Sequence, residues 1–248
     1  MKITHNRKQR EFEEREQLLI RLADQILSKD GEAELNMDKL VASSEYSKGT
    51  VYKHFGCKED LLTGIYYEKF LILFRLFQKV IDLPLTTRDR QLGIHVAHSL
   101  FDYRYFHESA RLMAPNTAAM QGKISASRKV KLEQLQLDLQ KLLLALIQEA
   151  VDQGDLKLPV GISADMVALA NQAFSFGMIT MMYGSCKTPE SYRAFMYAHL
   201  ESASRLLDGY RWHPISGDCD YRGVVEKVEE ALKEDFEELL NGSRIIIE

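Results

Sequence analysis

The sequence predicts an all-α protein, on three observations. The 248 residues contain only 5 prolines and 14 glycines to interrupt helices. Between these breaks, apolar residues recur at three- and four-residue intervals, the period of a helix with one buried face. Alternating β-branched runs bounded by turns are nearly missing, and the closing "RIIIE" is the one β-like stretch.

Each element has its own signals. A first helix is expected over residues 7–28, where Phe12, Leu19, Leu22, Ala23, Ile26 and Leu27 form an apolar stripe, and Asp30-Gly31 ends it. Asn36 is placed to cap a short second helix carrying Met37, Leu40 and Val41 on one face. "SSEY" reads as a turn. Ser47 caps a third helix running to Phe55, Gly56 stops it, and a fourth starts near Lys58 and extends to about residue 83. Beyond Pro84, helices are expected over 88–108, 123–153, 163–183 and 190–208. A last, acidic helix is expected over 221–240, after the loop "RWHPISGDCD".

Composition excludes several classes. With 46% apolar and 27% charged residues, the chain has the make-up of a soluble globular protein with a sizeable core. No apolar run approaches the roughly 18 residues of a membrane span, and "MKITHNRKQREFEERE" has no apolar segment behind its charges, so no signal peptide is expected. A cytoplasmic protein without membrane partners follows as the expectation. Cys57, Cys186 and Cys219 are widely separated and form no CxxC pair. His95, His98 and His107 are close in sequence, but no cysteine or carboxylate cluster joins them, so neither a metal nor any other cofactor is expected. Phosphate-loop, dinucleotide, HExxH and GxSxG signatures are missing, which argues against an enzyme.

The net charge of −4 says little about partners, because residues 1–60 balance eleven Lys/Arg against twelve Asp/Glu. Placement says more. From Ser47 to Lys58 the chain reads "SKGTVYKHFGCK", with no carboxylate. On a helical wheel Val51 and Phe55 fall together, toward the first helix. Gly49, Thr50, Tyr52 and Lys53 fall opposite, flanked by Lys48 and His54. A short helix, a tight turn and such a second helix make a helix-turn-helix. The outward face offers cations, hydroxyls and a residue without a side chain, as phosphate and base contacts require.

The stretch from Arg15 to Tyr66 resembles the N-terminal DNA-binding domain of TetR-family transcriptional regulators. The resemblance is densest at "SKGTVYKHF" and "KEDLL". It implies DNA contacts at Ser47, Lys48, Gly49, Thr50, Tyr52, Lys53, His54 and Lys58. Lys48, Gly49 and Thr50 would read bases, while Tyr52, Lys53, His54 and Lys58 would meet phosphates. Asn36 stands where the family usually has Thr or Ser, and by that resemblance would be a further phosphate contact. Two departures stand out. Glu45 replaces the turn's usual glycine and would be strained if its backbone were left-handed, and Tyr46 replaces a small aliphatic.

The resemblance also implies the organisation: a helix-turn-helix domain over 1–60, a helical ligand-binding and dimerisation domain over 61–210, and an acidic helical extension over 211–248. The expected protein is a homodimeric repressor that binds a pseudo-palindromic double-stranded operator and is released by a small hydrophobic effector. Small residues and four methionines in 163–183, together with 190–208, suit a dimer interface. Candidate effector-lining residues are Phe70, Phe74, Tyr103, Phe106, His107, Met113, Phe174, Met178, Met181 and Tyr183. The alternative is a helical protein–protein interaction module acting through the C-terminal region.

Overall fold

The computed structural model describes residues 2–105, 122–185 and 188–236. These form nine α-helices: α1 (Lys2–Asp30), α2 (Met37–Ala42), α3 (Lys48–His54), α4 (Lys58–Ile81), α5 (Thr87–Arg104), α6 (Ala126–Gln153), α7 (Ala164–Ser185), α8 (Pro189–Gly209) and α9 (Tyr221–Ala231). Among the described residues there is no strand, only an isolated bridge between Leu156 and Trp212. No helix among them is long and apolar enough to cross a membrane. The "RIIIE" tail lies outside the described residues.

The chain divides into two compact units. The first takes residues 1–71 and 107–135. Its core is built from Leu19, Ala23 and Leu27 of α1, Leu40 of α2, Val51 of α3, the adjoining Phe55, and Leu61, Ile65 and Tyr66 of α4, all buried. The α1 stripe is therefore the packing face that its spacing implied. The first helix is longer than expected, starting at Lys2. The exposed polar turns that follow are paired along the helix by Arg7–Glu11 and Arg10–Glu14, one turn apart. Gly31 ends the helix at φ +84°, donating its N–H to the Leu27 carbonyl. A mostly buried ion pair, Lys69 Nζ to Asp24 Oδ2 at 2.7 Å, ties α4 to α1.

The second unit takes residues 72–106 and 136–248. Helix α5 is at its centre, with residues 91–97 buried all round. It packs against α7, α8 and α9. Gly93 permits this approach: a Cβ there would sit 2.8 Å from Val80 Cγ1 and 3.1 Å from Val228 Cγ2. Thr86 caps α5 by accepting from Asp89 N–H, and Thr188 and Ser191 form a capping box at the start of α8. The described part of the C-terminal extension packs within this unit through Val224, Val225, Val228 and Leu232. The expected last helix reaches only Ala231 as a continuous element, and residues from 237 lie outside the described set.

A fully buried guanidinium secures the loop between α8 and α9. Arg88 donates to the Trp212 and Ser204 carbonyls, to Ser204 Oγ at 2.7 Å and to Asp208 Oδ1 at 2.7 Å. The Ser216 amide and hydroxyl also donate to Asp208. Trp212 Nε1 donates to Thr87 Oγ1, which in turn donates to Asp155. Burial pushes the Asp208 carboxyl up, but donation from Ser216 and Arg88 outweighs it, and the group lies below its ordinary value.

Candidate DNA-binding face and effector region

The helix-turn-helix is held by its caps. The Asn36 side chain accepts from Lys39 N–H at 2.9 Å and starts α2. Ser47 accepts from Thr50 N–H at 3.3 Å and its hydroxyl lies 3.0 Å from Thr50 Oγ1, starting α3. Between them, Ser44 accepts from Tyr46 N–H. Arg211 is the one non-glycine residue with positive φ among those described, so Glu45 carries no left-handed strain. Tyr46 is half-buried, with the Arg15 guanidinium 5.2 Å above its ring.

On α3, Val51 is fully buried, while Lys48, Gly49, Tyr52 and Lys53 are exposed and Thr50 is half-exposed. Nothing lies within 4 Å of a Cβ built on Gly49. Lys48 Nζ pairs with Asp38 Oδ1 at 2.7 Å, with both side chains largely in solvent, and lies 5.6 Å from the Tyr52 ring centroid. Lys58 is half-buried and donates to the Glu32 carbonyl at 2.5 Å.

His54 corrects the expectation of a phosphate contact. Its side chain is only 1% exposed and faces inward, stacked 4.0 Å from the Phe12 ring, with Nδ1 3.6 Å from Glu16 Oε2. Burial lowers its pKa against the opposing pull of Glu16, which favours the neutral ring. His54 packs α1 against α3 and offers nothing to the outer face. A second residue escaped the sequence reading altogether. Arg128, from the first turn of α6, reaches the His54 carbonyl, Asp60 and Glu16 within the first unit.

The effector candidates separate. Phe70 belongs to the first unit; Phe74, Tyr103, Phe174, Met178 and Met181 belong to the second. Tyr103 stacks on Tyr192 at 4.1 Å beside Met182. Phe174 is half-buried, 6.2 Å from the His95 ring and 5.4 Å from the His199 ring. Met181 is 71% exposed, which places it on the outer surface of α7. Phe106, His107, Met113 and the Tyr183 side chain lie outside the described residues.

The second unit also contains a polar cluster that the sequence reading did not assemble. His95 Nε2 faces Asn171 Oδ1 at 3.3 Å, His199 Nδ1 lies 3.2 Å from Ser99 Oγ, and His98 Nδ1 lies 3.1 Å from Ser175 Oγ. Asn171 Nδ2 donates to the Val167 carbonyl, so its oxygen faces His95 and Nε2 is the protonated nitrogen of that ring. Burial lowers the pKa of His95 to about 4 and, together with the two neighbouring imidazoles, that of His199 to about 2. Among the described residues, no group of three His, Cys, Asp or Glu side chains is arranged to hold a metal ion.

The caps, the buried Val51 and the basic outer face of α3, a helix with no acidic residue of its own, define a helix-turn-helix DNA-binding domain of the kind that regulators carry. Residues 19–65 match the family described as bacterial regulatory proteins, tetR family, and the N-terminal region is a TetR-family domain. A comparison with curated protein sequences found no match. Solved structures similar to this chain agree in fold. A protein of unknown function from Rhodococcus sp. RHA1 is 20% identical over 75% of this chain and 94% of that one, with a TM-score of 0.58. A TetR/AcrR-family transcriptional regulator from Thermobifida fusca is 16% identical, covering 75% and 97%, with a TM-score of 0.55. AibR, solved with isovaleryl coenzyme A and operator DNA, is 15% identical, covering 76% and 97%, with a TM-score of 0.54.

Proposed function

We propose that this protein is a transcriptional repressor that binds a pseudo-palindromic DNA operator as a homodimer and releases it on binding a small, largely apolar effector. The observation that carries the reading is the outer face of α3. Lys48, Gly49, Thr50, Tyr52 and Lys53 lie outward on a helix that has no carboxylate of its own and whose inner side is anchored by Val51. The contacts are Ser47, Lys48, Gly49 and Thr50 to base edges and nearby phosphates, with Tyr52, Lys53, Lys58 and Asn36 to the backbone. Lys48 leaves Asp38, and Lys58 leaves the Glu32 carbonyl, when DNA takes their place.

Dimerisation uses the outer face of α7. Met166, Leu169, Ala173, Phe176, Gly177 and Met181 are exposed at helical spacing, beside exposed Ala194 and Ala198 of α8. A contiguous apolar stripe of this kind is characteristic of an interface. The effector is held in the second unit, lined by Phe74, Tyr103, Phe174 and Met178, and the isovaleryl coenzyme A complex of AibR is one precedent for a ligand with an apolar part. Selection of random duplex DNA with purified protein tests the reading. It should enrich inverted half-sites whose centres lie about 34 Å apart or a multiple of that spacing. Enrichment of no sequence would refute it.

A further inference from the structure

Arg128 is a buried cation whose partners all lie in the first unit but far away in sequence. Nε donates to Asp60 Oδ1 at 3.2 Å, Nη1 to Glu16 Oε1 at 3.1 Å and Nη2 to the His54 carbonyl at 3.1 Å. Its Cζ sits 4.6 Å from the centroid of the Phe55 ring. A Cβ on Gly64 would come within 3.3 Å of Nη1, so α4 offers a side-chain-free surface where the guanidinium passes. The preceding residues grip the same region. Ser125 N–H donates to Asp60 Oδ1, Lys123 Nζ pairs with Glu59 at 2.5 Å, and Cys57 Sγ donates to the Lys123 carbonyl.

A guanidinium can serve this junction where an ammonium cannot, because its donors lie in a fixed planar fork and reach several acceptors at once. The three acceptors belong to three different helices. Glu16 is on α1, His54 closes α3 and Asp60 begins α4. Helix α3 has only seven residues, so its own hydrogen bonds do little to fix its direction. It is held from below by the buried Val51, His54 and Phe55 and at its end by the bond to the His54 carbonyl. Helix α6, which supplies Arg128, continues to Gln153 and so runs on into the second unit.

We infer that Arg128 is a positioning residue for DNA reading: it touches no DNA, and it sets the aim of α3 by joining the end of that helix to α1 and α4. The inference rests on the proposed DNA-binding function and goes beyond it, since it makes the first turn of α6 part of the recognition apparatus.

The test uses the full-length protein, a duplex enriched by the wild type from random sequence, and poly(dI-dC) as non-specific DNA. Arg128→Lys keeps the charge but cannot span the three acceptors. It should weaken binding to the enriched duplex about tenfold or more, the scale of one misplaced base contact. Binding to poly(dI-dC) should stay within about twofold, and the slope of log K against log salt should not change, because no phosphate contact is lost. Hydrogen exchange of the amides of residues 51–57 should quicken. Glu16→Gln keeps the Asp60 pair, and it should show the same split between specific and non-specific binding at smaller size.

A residue serving only as a buried charge would be rescued by lysine, so wild-type specific affinity in Arg128→Lys would overturn the inference. A fall of about one in the salt slope would overturn it too, by making Arg128 a phosphate contact. Equal loss on both DNAs in both variants would point to general destabilisation and likewise overturn it. Failure of the wild type to enrich any duplex would instead overturn the proposed function, and this inference with it.

Discussion

Acidification should destabilise the second unit well before its carboxylates titrate. His95 and His199 are 2% and 0% exposed, with rings 5.1 Å apart, and each meets a neutral partner, Asn171 or Ser99. Their folded pKa values, about 4 and about 2, lie below the ordinary 6.5. Between those limits the unfolded chain binds protons that the folded chain refuses. Stability is therefore fully present above pH 6.5 and is lost as the pH falls below it. From pH 6.5 to 5.0 the loss is about 2 kcal/mol per histidine at 1.36 kcal/mol per unit, so about 4 kcal/mol for the pair. His98, which burial and the neighbouring His95 lower to about 3, is left out of the sum because its side chain is 21% exposed and water offsets part of that burial. Against a typical total of about 5–15 kcal/mol this is a large fraction. In urea denaturation followed by circular dichroism, about 4 kcal/mol at roughly 2–3 kcal/mol per molar moves the midpoint by about 1.3–2 M between pH 7 and pH 5. The double variant His95→Gln/His199→Gln should lose most of that dependence. A double variant as acid-sensitive as the wild type would refute the reasoning.

Other outcomes follow from individual side chains. Lys53→Ala should lower the salt slope of DNA binding by about one and weaken binding to all sequences alike, which a salt titration reads directly. Thr50→Ala should relax preference at one operator position, worth about 1–3 kcal/mol of discrimination, with non-specific binding kept; a uniform loss would make Thr50 a backbone contact. Light scattering should give twice the 28.5 kDa chain mass for the wild type and one chain mass for Leu169→Glu, since the charge falls in the middle of the exposed α7 stripe. Arg88→Met leaves Asp208 and two carbonyls without their buried donor, and should cost about 3–5 kcal/mol in denaturation.

Local periodicity made the helix-turn-helix legible. Ser47, Val51 and Phe55 lie within nine residues of one another, so cap and inner face could be read from a wheel alone. His54 could not be read that way. Its burial depends on Phe12, which arrives from α1, and no local pattern distinguishes a flank covered by another helix from one left in water. Helix α5 shows the same limit on a larger scale. Arg88, Gln91, His95, Ser99 and Asp102 repeat at helical spacing, the signature of a solvated stripe, yet all five are buried. Polar periodicity identifies a face, and only the elements packed against it decide whether water reaches that face. Arg128 was invisible for a related reason, because its acceptors lie 68 to 112 residues away.

The chain's single tryptophan turns the clasp around Arg88 into an optical instrument. The Trp212 indole is wholly buried, and its N–H is committed to Thr87. Its emission should therefore be blue in the native protein and should shift red when that loop opens. The helix-turn-helix contains no indole and is silent at this wavelength. A fluorescence melt and a circular dichroism melt of this protein thus measure different things, one unit against both, and a gap between the curves times the loss of each separately. If added operator DNA changes the indole signal, contact with α3 cannot be the source, so the change is a direct record of DNA binding felt inside the second unit.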